Sequence, residues 1–415
     1  MSADLTVVLA SPAQKRAWRR NAWEYWMKPG GMSEESFHEN QDWQEAEGRH
    51  TQDDRALIWA LVPRSDLQTT NILAASRTLR RQARCYDAES GQMQDVTSYC
   101  VTGVITAPEH RRKGYARQLM STMHYILGPH DHLPSWPIET LGPPPSIRTM
   151  RNDAFYSILW SDVGEDFYRS CKIGDRDGWV TRLDEELVWD IKIEDRQERA
   201  AAVDLDLSGV RFLREWNAEL VPPALVESYE TKLLKQAAGN LDHKDSVSRT
   251  RKTKFILDSA NSPGLINYYL VRGVQNRSSS SKSKSAVPKP ETETFGFVDQ
   301  ERGIWAVWLV DLNDDGTKAT LRVTSIGVLS LGEEEAKLGD DLVRLKAIIL
   351  SQAKNMGCDE VTLWALPERI QKLWKESEPT MKLVKRKEHL GAIAWYGAGH
   401  GDEVQWEGGQ EFTWA

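Results

Sequence analysis

The segment with the clearest potential for chemistry is a basic turn between a predicted strand and a predicted helix. It reads Arg111-Arg112-Lys113-Gly114-Tyr115-Ala116 and follows the strand-like run Val101–Thr106. Three consecutive cations precede two small residues, Gly114 and Ala116, which let a ligand approach the backbone closely. Backbone N–H groups at a helix start, together with the positive end of the helix dipole, bind anions. The turn therefore predicts a diphosphate site.

Two common diphosphate-binding patterns are absent from the sequence. It has neither the dinucleotide pattern G-x-G-x-x-G nor the phosphate loop G-x-x-x-x-G-K-[S/T]. We therefore do not expect the diphosphate to be that of NAD or ATP bound in those folds. The alternative is a basic surface turn that only joins a strand to a helix.

The turn and the preceding Val104-Ile105-Thr106-Ala107-Pro108-Glu109-His110 closely resemble the acyl-CoA loop of the GCN5-related N-acetyltransferase (GNAT) superfamily, R/Q-x-x-G-x-G/A. The resemblance covers roughly residues 1–180 and is strongest from 101 to 127. It implies that backbone N–H groups of residues 112–116 hold the CoA diphosphate and that strand 103–106 pairs with the pantetheine arm. The residues implied to bind acetyl-CoA are Val104, Ile105, Thr106, Arg111, Arg112, Lys113, Gly114, Tyr115 and Ala116.

A second part of the same signature follows about forty residues later. Ser157-Ile158-Leu159-Trp160-Ser161-Asp162-Val163-Gly164 leads to Phe167-Tyr168 and then to Lys172-Ile173-Gly174. Superfamily members often have a strand followed by F-Y-x-x-x-G-F here. The match departs from that pattern just after Cys171, because Lys172 stands where glycine is usual.

A narrower resemblance concerns the acceptor. The S-D-V-G-x-x-F-Y run and the Trp-rich C-terminal part look like the fungal and yeast lysine N6-acetyltransferases of lysine breakdown. This resemblance implies transfer of acetyl from acetyl-CoA to the side-chain amine of free L-lysine. A protein or peptide lysine acetyltransferase and a non-catalytic acyl-CoA-binding protein are the alternatives.

Acyl transfer to an amine requires a base for the ammonium group and an acid for the departing thiolate. Tyr168 is the predicted acid, since its phenol is neutral near pH 7 and the superfamily often places this acid here. The alternative is a core tyrosine that packs against Phe167. Asp162, Glu165 and Glu109 are the nearby carboxylates, but each is typical of a helix cap or a solvated charge, so the base stays open.

Hydrophobic periodicity predicts an α/β (α+β) chain in two domains. The order strand, turn, helix, strand occurs at 97–106, 116–127 and 157–160, and again at 319–329, 336–356 and 360–366. The family resemblance implies that residues 1–180 form an acetyl-CoA-binding catalytic domain with a mixed sheet of the acyl-CoA N-acyltransferase type. Residues 181–415 are predicted to form a second α/β domain that is a degenerate copy of the first.

Four further segments carry expectations. Residues 82–94 are polar and turn-rich, and residues 197–238 read as helical with a break at Pro222-Pro223. The Ser/Lys-rich stretch 278–290 is predicted to be a disordered insert. Asp311–Gly316 resembles the start of a calcium loop, but Arg322 occupies the twelfth position, where a glutamate is required, so a hairpin turn is expected.

The composition and charge of the chain limit the kinds of molecule that it is expected to bind. The chain has 415 residues and a formal net charge of -8, which disfavours general nucleic-acid binding. It shows no signal peptide and no apolar run long enough for a membrane helix. The four cysteines are far apart and His124, His130 and His132 do not form a metal pair, so neither disulfides nor a metal site are expected. We expect a cytoplasmic protein whose partners are acetyl-CoA and a small amine.

Overall fold

Two mixed β-sheets form the framework of the computed structural model, which describes residues 3–146, 148, 150–190, 206–216, 219–240, 252–271, 293–312, 318–377 and 380–414. In chain order the strands are β1 Leu5–Leu9, β2 Ala56–Pro63, β3 Ala74–Asp87, β4 Gln92–Ile105, β5 Tyr156–Ser161, β6 Val180–Leu183, β7 Glu185–Asp190, β8 Val210–Leu213, β9 Lys254–Asp258, β10 Gly296–Asp299, β11 Ile304–Leu312, β12 Ala319–Val328, β13 Glu360–Trp364, β14 Met381–Lys385, β15 Leu390–Trp395 and β16 Val404–Trp406. The helices are α1 Pro12–Ala22, α2 Glu34–Glu47, α3 Tyr115–Leu127, α4 Ile138–Leu141, α5 Asp166–Arg169, α6 Pro223–Asn240, α7 Glu335–Asn355 and α8 Glu368–Ser377.

The two sheets share one topology. The first runs β1-β2-β3-β4-β5-β15-β6, and the second runs β8-β10-β11-β12-β13-β7-β14. In each sheet the fourth and fifth strands pair in parallel, while all other neighbours in these two orders are antiparallel. A long helix, α3 or α7, connects the parallel pair in each case. The mixed α/β fold and the second copy predicted from the sequence are thereby confirmed.

The two halves exchange one strand each. Strands β6 and β7 are separated only by Asp184, yet β6 pairs with β15 in the first sheet and β7 pairs with β13 and β14 in the second. Reciprocally, β14 lies in the second sheet and β15 inserts between β5 and β6. Strands β9 and β16 also join the first sheet through β3. The sheets therefore do not follow the sequence division at residue 180, which stays a prediction about independent folding units.

The helix that follows the basic turn has the predicted amphipathic face. Leu119, Met120, Met123 and Ile126 are fully buried in a core with Tyr99 and Leu159 of the first sheet. Burial of a side chain of this size contributes about 1.5–3 kcal/mol relative to exposure. This packing fixes the direction of α3 and hence the position of its N-terminus.

Two expectations about local structure were wrong. Residues 82–94 were expected to be turns, but β3 and β4 extend through most of this segment, because β3 pairs with β9 over Ala83–Asp87. Part of the predicted helix at 197–238 is the strand β8, which pairs with β10, and helix α6 begins only at Pro223. In both segments, tertiary pairing overrides the local preference.

Two further predictions concern the calcium-like segment and the Ser/Lys-rich insert. Strands β11 and β12 pair in antiparallel fashion up to Leu312 and Ala319, so the calcium-like segment joins a hairpin, as predicted. Asp311 forms an ion pair with Arg322 at 2.8 Å. Residues 313–317 and the predicted insert 278–290 lie outside the described residues.

Candidate active site

A wedge opens in the first sheet where β4 leaves β5. The two strands pair only from Ser98 to Cys100 with Tyr156 to Ile158, whereas β4 continues to Ile105 and β5 to Ser161. Residues 101–106 line a cleft at this point. Backbone groups on a strand edge need partners, and an extended ligand can supply them by adding alongside the strand.

A β-bulge shapes the lining strand. Register along β3 and β4 shifts between Ala75 and Arg77, which face Ile105 and Thr102. Gly103 lies in the bulge with φ +58°, and its carbonyl accepts a hydrogen bond from Trp18 Nε1 at 3.0 Å. A Cβ atom at Gly103 would lie 2.7 Å from the Trp18 ring, so the bulge requires glycine here.

The basic turn forms an exposed start to α3. Arg112 and Gly114 adopt positive φ angles of 61° and 82°, and the helix begins at Tyr115 without a side-chain cap. The first N–H groups of a helix have no partner within the helix, so they remain available to an anion. Arg111 donates from Nε to the Thr106 carbonyl at 3.2 Å and lies 5.2 Å from the Tyr25 ring centre.

The cleft beside the wedge has a volume of about 560 Å³. Such a volume is typical of a small-molecule site. Five of the sequence-predicted residues line it, and they come from β4, the turn and α5: Val104, Ile105, Thr106, Arg111 and Tyr168. The other five follow Arg111 on the turn and first turn of α3, outside the lining: Arg112, Lys113, Gly114, Tyr115 and Ala116. The opposite walls come from α1, α2 and the C-terminal part of the chain.

Tyr168 lies on the short helix α5 and is half-buried. Its ring packs edge-on against Trp179 at 6.4 Å and Phe167 at 4.9 Å. Burial raises the pKa of the phenol above its ordinary value, and the nearby Cys171 and Asp162 raise it further. Among the described residues no group hydrogen-bonds to its hydroxyl, so a protonated phenol is available to the cleft.

The cleft also holds an acid–histidine pair that the sequence analysis missed. His389 Nδ1 lies 2.6 Å from Asp162 Oδ1, and the same oxygen accepts a hydrogen bond from the His389 backbone N–H at 3.1 Å. Both residues line the cleft with Tyr168. The histidine ring packs in a cluster with Trp414, at 4.1 Å, and Trp364, at 6.0 Å. The hydrogen bond between the two residues is made by the backbone N–H, since the Nδ1 contact lacks hydrogen-bond geometry. A carboxylate beside an imidazole is suited to proton transfer.

Residues 275–415 match the family model described as the LYC1 GNAT-like C-terminal domain. This match covers about a third of the chain and supports a relationship with the GNAT superfamily and its N-acetyltransferases. No curated protein matches the sequence.

Several solved structures are similar in fold. The GCN5-related N-acetyltransferase from Kribbella flavida aligns over 94% of this chain and 71% of its own, with 12% identity and a TM-score of 0.46. The GCN5-related N-acetyltransferase from Anabaena variabilis aligns over 95% and 73%, with 12% identity and a TM-score of 0.48. Saccharomyces cerevisiae N-myristoyltransferase with bound myristoyl-CoA aligns over 97% and 82%, with 9% identity and a TM-score of 0.40. These low values carry no argument about function, which rests on the geometry of the chain.

The equivalent wedge in the second sheet is filled. Strands β12 and β13 pair from Thr320 to Val323, and β12 then continues to Val328. There the side-chain amide of Gln410 accepts a hydrogen bond from the Ile326 N–H at 2.6 Å and donates one to the Ile326 carbonyl at 3.1 Å. Gln410 is buried. In the second sheet it therefore hydrogen-bonds the backbone groups of β12 that correspond to those on the open edge of β4 in the first sheet.

The helix start beside this second wedge is acidic rather than basic. Glu333, Glu334 and Glu335 occupy it. Hydrogen bonds from Lys337 and Lys232 hold the pKa of Glu333 below its ordinary value, so this carboxylate is charged. Such a turn repels a diphosphate.

The histidines near α3 have structural partners. Buried His124 contacts the Tyr396 hydroxyl and the Cys171 carbonyl, each at 2.9 Å, and burial lowers its pKa to about 3. His130 and His132 contact backbone carbonyls of Tyr125 and Tyr396. A search of the described ranges found no group of three or more acidic, histidine or cysteine side chains that could hold a metal ion. The same part of the chain contains no helix with the length and apolar character to span a membrane.

Proposed function

We propose that the chain is an acetyl-CoA-dependent N-acetyltransferase that acts on a primary amine, with the side-chain amine of free L-lysine as the first candidate. The observation that carries this proposal is the meeting of three features at one place. An unpaired strand edge at 101–105, a cationic helix start at 111–116 and a cleft with two proton-transfer groups adjoin each other.

The proposed acetyl-CoA site uses the turn and the strand together. Backbone N–H groups of residues 112–116 would bind the diphosphate, with Arg111, Arg112 and Lys113 around it. The open edge of β4 at Val104–Thr106 would pair with the amide groups of the pantetheine arm. We propose one acyl-CoA site per chain, because Gln410 and the acidic turn occupy the equivalent place in the second sheet.

The proposed reaction removes two protons from the acceptor nitrogen, one before attack and one that passes to solvent as the amide forms, and it supplies one proton to the departing sulfur. His389, oriented by Asp162, would accept the proton of the acceptor ammonium, whose pKa is about 10 in a free lysine side chain. The free amine nitrogen then attacks the thioester carbonyl carbon, and the C–S bond breaks as the amide C–N bond forms. Tyr168 would donate its proton to the departing sulfur, and backbone N–H groups of β4 would stabilise the oxyanion.

Support for lysine as acceptor comes from the sequence resemblance and from the cleft walls. The walls combine aromatic rings, such as Trp160 and Trp414, with amide side chains of α2. A cationic amine binds favourably against aromatic faces. Acetylation of peptide-bound lysine and non-catalytic acyl-CoA binding are the alternatives that the experiment distinguishes.

Acetyl-CoA consumption by the full-length protein tests the proposal. The acceptor panel contains free amino acids, polyamines and lysine-containing peptides, and each amide product is identified by mass spectrometry. We expect turnover with amines and the highest kcat/KM with free L-lysine. Acetyl-CoA binding without turnover of any amine would contradict the enzyme assignment. Turnover of peptides at least about tenfold better than lysine would contradict only the acceptor.

A further inference from the structure

Arg77 is a buried cation at the inner end of the cleft. It lies on β3 with only 8% of its surface exposed, and it is part of the cleft lining. Its side chain forms no hydrogen bond or ion pair with another residue in the ranges that the structure describes, and its buried Nε has no partner. A guanidinium group loses hydration on burial, so it is stable there only when a partner supplies compensating charge.

Each of the other arginines of the same strand has at least one partner, although the Nε atoms of Arg81 and Arg84 also lack a hydrogen bond. Arg80 forms an ion pair with Asp153 at 2.9 Å on the opposite face. Arg81 donates to the Thr413 carbonyl at 2.7 Å, and Arg84 donates to the Glu227 carbonyl at 3.0 Å. Arg77 thus differs from its neighbours in presenting its charge to the cleft rather than to the protein.

The surroundings of Arg77 are electrostatically positive. Burial, followed by the charges of Arg77 and Arg81, lowers the pKa of the adjacent His50 to about 3. Asp162 is the single carboxylate in the described cleft lining, and it already contacts His389. No carboxylate of the described lining therefore remains to neutralise Arg77, and an anion in the cleft would be bound strongly.

Arg77 lies close to the wedge between β4 and β5, where we propose that the reaction takes place. Arg77 is paired with Thr102 across β3 and β4, beside the point where β4 diverges from β5. Adjacent strands lie about 5 Å apart, so the guanidinium is one strand away from the open edge of the wedge. Arg111, the other cation of the lining, lies beyond Thr106 toward the diphosphate turn. Arg77 and Arg111 therefore lie at different ends of the cleft.

We infer that Arg77 binds a carboxylate of the acceptor, which makes the acceptor a free amino acid rather than a polyamine or a peptide-bound lysine. This inference rests on the proposed function and defines its substrate class. A carboxylate and a guanidinium form paired, charge-assisted hydrogen bonds of high geometric specificity. The carboxylate would hold the substrate so that its amine reaches the wedge.

The test compares L-lysine with pentane-1,5-diamine, which has the same amine chain but no carboxylate. The variants are Arg77→Gln, Arg77→Lys and the control Arg80→Gln, which removes a cation from the other face of β3. In the wild type we expect kcat/KM to favour lysine. In Arg77→Gln we expect kcat/KM for lysine to fall at least about tenfold, mainly through a higher KM. A fall of this size corresponds to the loss of one charge-assisted hydrogen bond. The diamine value should change little, and Arg77→Lys should keep part of the preference.

Direct binding gives a second readout that does not need turnover. Calorimetry of lysine and of the diamine with the CoA-bound protein should show tighter lysine binding in the wild type and in Arg80→Gln but not in Arg77→Gln. Equal binding of both amines to the wild type, or an equal loss of both in Arg77→Gln, would overturn the inference. If the proposed function itself is wrong, the observation is different: no amine is acetylated, while the preference for binding lysine over the diamine can still be measured.

Discussion

The hydroxyl of Tyr168 is the group that we propose to protonate the leaving sulfur. Its raised pKa keeps it protonated, and it faces the same cleft as the open edge of β4. We expect Tyr168→Phe to lower kcat by at least about tenfold, since general acid catalysis by one group typically contributes a hundredfold or more. Acetyl-CoA affinity, measured by calorimetry, should be nearly unchanged because diphosphate contacts dominate binding.

The Tyr168 prediction depends on chemistry being rate-limiting, which a pre-steady-state burst experiment establishes. If Tyr168→Phe keeps the wild-type kcat between about pH 6 and 9 under that condition, the tyrosine is a packing residue of the Phe167–Trp179 cluster and water supplies the proton.

His389 makes a separate prediction about the base. We expect His389→Gln to reduce kcat/KM strongly near neutral pH, and the deficit should shrink toward about pH 10, where the acceptor amine loses its proton without help. Asp162→Asn should cause a smaller loss, because it removes only the group that orients the ring. His130→Gln, a change at an exposed histidine outside the cleft lining, is the control. A deficit that stays constant with pH would show that His389 only shapes the cleft.

The N-terminus of α3, with the basic turn before it, makes a prediction about acetyl-CoA binding. Reversing the charges in the triple variant Arg111→Glu, Arg112→Glu and Lys113→Glu should weaken CoA binding by at least about tenfold, since three favourable interactions with the diphosphate become repulsive. The helix should persist, because its buried face packs on the sheet independently of the turn.

Calorimetry of CoA with the triple variant and with Arg16→Glu measures this effect. Arg16 is exposed on α1 and controls for charge reversal elsewhere on the surface. Unchanged CoA affinity in the triple variant would place the diphosphate somewhere else. Binding of more than one CoA per wild-type chain would contradict the blocked wedge of the second sheet.

The whole molecule depends on the exchange of β7 and β15. A fragment of residues 1–180 lacks β15, β9 and β16, so the edge of β5 and part of the core shared between the sheets would be exposed. We expect this fragment to be aggregated or unfolded and unable to acetylate amines. Two co-expressed fragments cut at residue 200 should instead assemble, because each contains the strand that the other sheet requires.

Co-purification of the two fragments, circular dichroism and CoA titration provide the measurements. The fragments 1–200 and 201–415 expressed separately are the controls, and they should not bind CoA with the affinity of the reassembled pair. A monomeric, well-folded fragment 1–180 with full CoA affinity and amine turnover would show that the first half is autonomous and that the exchanged strands are accessory.

Much of the end of the cleft that we propose for acetyl-CoA could be predicted from the sequence, because its determinants are local. The turn at 111–116, the amphipathic helix after it and the strand before it lie within about thirty consecutive residues. Hydrophobic periodicity and small residues at a helix start report such elements directly. The placement of Val104–Thr106 and Tyr168 in one cleft agrees with that local reading, while their roles stay predictions.

The acceptor end was decided only by the tertiary structure. His389 lies 227 positions from Asp162 and reaches the cleft because β15 belongs to the first sheet. Arg77 looks like its neighbours Arg80 and Arg81 in the sequence. Burial distinguishes it from Arg80, and the hydrogen bond that Arg81 donates to the Thr413 carbonyl distinguishes it from Arg81. Strand exchange and the partner of a buried charge depend on contacts between distant segments, which neither periodicity nor residue spacing encodes. The sequence by itself therefore determined a basic helix start suited to a diphosphate, and the exchanged strands determined which distant side chains line the cleft beside it.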